Sequence, residues 1–113
     1  MKKTTTALAM IAFLFALGTG ITLAEEHADE ALKHAQLASQ HGKMGHADVL
    51  TKHAQAALEH AKASQQAHLA NANHMGEAVT HLNAAIEHGK MGHADVATQH
   101  MQQALTHIKA GNK

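Results

Sequence analysis

One nine-residue stretch, His-Gly-Lys-Met-Gly-His-Ala-Asp-Val, occurs twice in this chain of 113 residues, at 41–49 and again at 88–96. Counting outward from either copy, a histidine stands at every seventh position. His34 and His27 precede the first copy, which holds His41 and His46, and His53 and His60 follow it. His81 and His74 precede the second, which holds His88 and His93, and His100 and His107 follow it. Of 13 histidines only His68 lies off this lattice. A seven-residue period is two turns of helix, so the lattice admits helical architectures and excludes strands, whose period is two.

The duplication extends well beyond the shared stretch. Residues 27–64 align with 74–111 at 22 of 38 positions, with all six lattice histidines matched, so the chain is a tandem repeat. Each unit carries a four-residue turn at its centre, Gly42–Gly45 or Gly89–Gly92. Glycine just past a helical run signals a C-terminal cap, because it takes positive φ without strain. Asp48 and Asp95 then fall in the first turn of the next helix, where negative charge complements the helix dipole. The pattern predicts helices near 26–41, 46–66, 75–88 and 93–109, with a polar connector near 65–73. The expected fold class is all-α, an up-down-up-down four-helix bundle of two tandem helical hairpins.

Apolar residues follow each lattice histidine at +1, +4 and +5. They are Ala28, Ala31, Leu32, Ala35 and Ala38; Ala47, Leu50, Ala54, Ala57, Leu58 and Ala61; Met75, Ala78, Val79, Leu82, Ala85 and Ile86; and Ala94, Ala97, Met101, Ala104, Leu105 and Ile108. In heptad terms these are a, d and e, and histidine holds g. Histidine therefore borders the core without filling it. The core must be thin: there is no Trp or Tyr, and Phe13 and Phe15 both lie in the N-terminal segment. With no cysteine, disulfides and thiolate metal sites are excluded.

Residues 1–24 read as a secretory signal. Lys2 and Lys3 precede an apolar run, Ala7–Leu17, that is too short for a membrane span of about 20 residues. Thr22-Leu23-Ala24 supplies small residues for cleavage, which leaves a mature domain of residues 25–113 outside the membrane. That domain carries seven lysines against nine acidic residues, so nucleic acid is not its expected partner.

Histidines seven apart on one helix are separated by about 10 Å, whereas metal–nitrogen bonds are about 2 Å. Shared ions must therefore lie between helices. In an antiparallel hairpin the g positions face each other, and pairs whose residue numbers add to a constant are in register. This predicts six rungs: His27–His60, His34–His53 and His41–His46, then His74–His107, His81–His100 and His88–His93. Glu30 and Glu77 flank the column as further possible ligands, and Met44 and Met91 sit in the turns. A thioether there would suit a soft ion, or it would simply cover the end of the core. His68 reads as a surface residue.

The signal segment, histidine heptads, duplicated hairpin and His-Gly-Lys-x-Gly-His turns together resemble the periplasmic small metal-binding protein family. The resemblance covers the whole mature chain. It implies a monomeric four-helix bundle that binds several divalent ions, Cu2+ above all, with a role in metal buffering or tolerance. Imidazole also suits Ni2+ and Zn2+. The turn methionine departs from the acidic residue associated with that position in the family. An alternative is a pH-responsive structural or chaperone-like protein, since histidine titrates near pH 6.5. No nucleophile, phosphate-loop or His-Glu-x-x-His motif points to an enzyme.

Overall fold

The computed structural model describes residues 19–67 and 72–112, with side chains from Leu23 onward; the expected signal segment before residue 19, and His68, lie outside the described residues. Four helices follow in order: α1 (Thr19–Lys43), α2 (Ala47–Ala67), α3 (Ala72–Lys90) and α4 (Ala94–Gly111). Each packs on the next and α4 packs back on α1, while α2 and α4 meet only lightly across the diagonal. This is the up-down-up-down bundle that the repeat predicts. Alanine-rich sequence without proline lets the helices run to their turns. α1 and α3 overrun the expected bounds at both ends, while α2 and α4 start one residue late and overrun only at their C-terminal ends; helix takes up both ends of the expected connector. α1 begins ahead of the expected cleavage point, and the Ala24 carbonyl accepts a hydrogen bond from Ser64 Oγ at 3.1 Å.

The core is as thin as the composition implies. Ala28, Ala31, Ala35 and Ala38 are the α1 members of the main core, all small enough to let neighbouring helices approach closely. Bulk comes from the other three helices through Leu50, Leu58, Met75, Leu82, Ile86, Met101 and Ile108. Each such side chain contributes about 1.5–3 kcal/mol on burial. Leu32, Val79 and Leu105, expected in the apolar stripe, are only partly buried and pack on the edge of the core. All three hold stripe position e, which is buried at Leu58 and Ile86 but lies at the margin of the core here. Where hairpins meet near the turns, the same position holds buried Thr51 and Thr98. Their hydroxyls donate to the Ala47 and Ala94 carbonyls, at 2.7 and 2.6 Å, so neither polar group is left without a partner.

The two glycines of each turn have different duties, and only the second is conformational. Gly45 and Gly92 take φ of +78° and +77°. Gly42 and Gly89 instead remain helical and buried. A Cβ on Gly42 would collide with the Thr98 hydroxyl and lie 2.6 Å from Leu50 Cδ1; one on Gly89 would collide with the Thr51 hydroxyl. Each hairpin thus puts a bare backbone against a threonine of the other, and the contacts are related by the internal repeat.

Gly42→Ala should lower metal-free stability by about 1–3 kcal/mol, read from thermal melts by circular dichroism. Adding Thr98→Ala should recover part of that loss. Full stability in Gly42→Ala alone would mean that the hairpins are not in this close contact.

Candidate metal centre

The turns set the histidine register. Gly45 N–H donates to the Gly42 carbonyl and His46 N–H to the His41 carbonyl, both at 2.9 Å. The second turn repeats this, Gly92 to Gly89 at 3.0 Å and His93 to His88 at 2.8 Å. These are the paired bonds of a Schellman motif, which commonly adds a side-chain contact between the residues joined by its outer bond. Here that contact is histidine on histidine. The His41 and His46 rings lie 5.7 Å apart, and those of His88 and His93 lie 5.9 Å apart. The turn therefore builds the first rung, and helical periodicity places the rest.

All six expected pairs are neighbours in space. The Nδ1 atoms of His27 and His60 lie 3.2 Å apart, as do those of His34 and His53. The same atoms are 3.4 Å apart in His41–His46 and in His81–His100. His74 and His107 are looser, with ring centroids 6.1 Å apart. Two bonds of about 2.0–2.1 Å meeting at roughly 90–110° put their nitrogens about 2.9–3.4 Å apart. The 3.2–3.4 Å contacts fit that span. Without a metal, one ring of each close pair must carry the shared Nδ1 proton. Nδ1 of His88 is buried with no hydrogen-bond partner. Such an atom costs about 1–3 kcal/mol unless something satisfies it, and an ion would do so.

The rungs are not isolated, which the rung spacing alone does not imply. His34 stacks on His60 and His41 on His53, with centroids 5.8 and 5.7 Å apart. His81 stacks on His107 at 5.7 Å, and His88 on His100 at 5.6 Å. Each hairpin thus carries one unbroken zigzag of six imidazoles. These pairs also add to a constant, seven above that of the rungs, so the sequence admits them, but the sum alone does not set the axial offset that brings them into contact.

The carboxylates join the stacked diagonals. Ligand atoms of Glu30, His34 and His60 lie within 4.8 Å of one another, and those of Glu77, His81 and His107 do the same. Lys33 is hydrogen-bonded to Glu30 and holds that carboxyl below the usual glutamate range. Thr80, the matching residue in the second unit, donates instead to the Gly76 carbonyl at 3.1 Å. Met44 and Met91 are each 57% exposed, so neither covers the core as a turn methionine could. The Schellman turn aims the residue before its glycine into solvent.

Two histidines within the column, His53 and His81, resist protonation. Partial burial, followed by the nearness of His34 and His41, holds His53 below the ordinary histidine range. Burial, then His100 and His107, does the same to His81, with Glu77 opposing. Unfolded histidine takes its proton near pH 6.5, whereas these two take theirs lower when folded. Between those values the unfolded chain binds more protons. Metal-free stability is therefore full above about pH 6.5 and falls as the pH drops through that value toward the folded pKa. Melting temperature should decline from pH 7 to pH 5, and His53→Gln with His81→Gln should flatten the decline. An unchanged slope would place the pH dependence elsewhere.

His93 is the N-cap of α4 and makes no side-chain capping bond. Serine or aspartate there would satisfy one free N–H, an effect worth about 1 kcal/mol. His93→Ser should raise the metal-free melting temperature and reduce the further rise that metal produces. A variant less stable without metal would show that His93 serves the fold.

No curated relative matches the chain. The family model described as small metal-binding protein matches residues 1–111. With histidine ladders of ligand geometry along both hairpins, the chain belongs to the small metal-binding protein family.

Proposed function

We propose that this protein buffers divalent transition-metal ions in the periplasm, Cu2+ before Ni2+ and Zn2+, by holding several at once along its two histidine ladders. The observation that carries this reading is the cross-helix pairing of imidazoles at a spacing of 3.2–3.4 Å, suited to two bonds on one ion. Imidazole is a borderline ligand, and among divalent ions copper binds such donors most tightly at equal availability. The ladders are half-buried at best, and His46, His74 and His93 are exposed. Ions there exchange readily with solvent, which suits storage and tolerance more than tight retention at a single selective site.

The location follows from the signal reading of residues 1–24, and the working form is a monomer starting at Glu25. Among the described residues no helix is long and apolar enough to cross a membrane. Each hairpin closes its ladder with its own histidines, so a second copy is not needed to complete a site.

Cu2+ at pH 7 should raise the melting temperature by ligand linkage and hardly move it at pH 5, where the imidazoles hold protons. Equal stabilisation at both pH values would assign binding to carboxylates. Calorimetric titration should show the losses from His34→Ala and His100→Ala adding, because these residues stand on different ladders.

A further inference from the structure

A neutral imidazole has one lone pair to give a metal, since its other nitrogen carries the proton. His34 touches His53 across its rung and His60 along the diagonal, so it can serve one of those pairings at a time. Every interior histidine of either ladder faces the same choice. The ladder therefore has two exclusive registers. Pairing across rungs uses all six histidines of a hairpin and holds three ions. Pairing along the diagonals holds at most two, at His34–His60 and His41–His53, where the stacked rings must turn to converge on one ion, and it strands His27 and His46. The second hairpin likewise pairs His81–His107 and His88–His100 and strands His74 and His93.

The registers differ in donors as well as in capacity. Among the described residues, a carboxylate joins a histidine pair only on the diagonal, as Glu30 beside His34 and His60 and as Glu77 beside His81 and His107. A lone ion gains a third bond and a compensating negative charge there, which no rung offers. When metal is abundant, mass action favours the register that holds more ions. We infer that the first ion taken up by each hairpin binds its diagonal Glu-His-His triad, and that further loading shifts the hairpin into the rung register. This rests on the metal-binding reading above and adds an order of filling to it. Lys33 occupies Glu30, while Thr80 leaves Glu77 to the ion, so the triad preference is sharper in the second hairpin.

The test is a Zn2+ titration of 15N-labelled protein at pH 7, with imidazole nitrogen shifts assigned residue by residue. Zn2+ is diamagnetic, so the rings stay observable, and the nitrogen shift of a metal-bound ring differs from that of either neutral tautomer. At one ion per hairpin, His81 with His107 and His34 with His60 should carry the metal-bound shift, while the other eight ladder rings stay free. At saturation those eight should become bound as well. Glu77→Gln should weaken uptake of the first ion by the second hairpin at least about tenfold and leave saturating capacity unchanged. Early shifts that appear in rung pairs, or in all twelve rings together, would overturn the order of filling while leaving metal binding intact. The same follows if Glu77→Gln has no effect on first-ion affinity. No histidine shift at any Zn2+ level would overturn the metal-binding reading itself.

Discussion

The ladder depends on helix register, and the register is fixed by two backbone hydrogen bonds at each turn. A slip of one residue between α1 and α2 would rotate the facing positions by about 100° and scatter the histidine pairs. Gly45 prevents the slip by taking φ +78°, which lets His46 N–H reach the His41 carbonyl. The same bond that ends the helix brings the first two imidazoles together. From there the seven-residue period carries the match down both helices without further local devices.

The core supports the register with little bulk. Alanines on α1 keep it close to its neighbours, so g positions on adjacent helices come within nitrogen–nitrogen contact. Larger residues on α1 would widen the spacing and open the rungs. Thin packing costs stability, since alanine buries little area. Local rules are also broken where histidines stand: His93 is a poor N-cap, and His88 buries an orphaned nitrogen. Departures of this kind gather at functional sites, where a residue is placed for binding and not for folding.

Much of this was legible in the sequence because the repeat and the heptad each impose geometry. The helices, the antiparallel hairpins and the six rungs all follow from spacing alone. What escaped reading depended on distances between elements. The close contacts of Gly42 with Thr98 and of Gly89 with Thr51 join residues far apart in sequence, and no local pattern marks them. The diagonal stacking depends on how far one helix is offset along the other, which a constant sum does not fix. For the same reason Glu30 and Glu77 could be placed beside the column but not assigned to particular histidines.

The arrangement divides the bundle into two kinds of interface. Among the described residues every histidine pair joins α1 to α2 or α3 to α4, so an ion held by such a pair would cross-link helices within a hairpin. Among the described residues, the faces between hairpins, α2 on α3 and α4 on α1, carry no such pair. They rely on the apolar core, the glycine–threonine contacts and the Asn112 side-chain hydrogen bond to Asp29 at 2.7 Å. Metal bound on the ladders would therefore stiffen each hairpin and leave the plane between hairpins at its metal-free strength, the weakest seam of the loaded protein. Packing holds that plane, and the bulk of the core that supplies it comes from α2, α3 and α4.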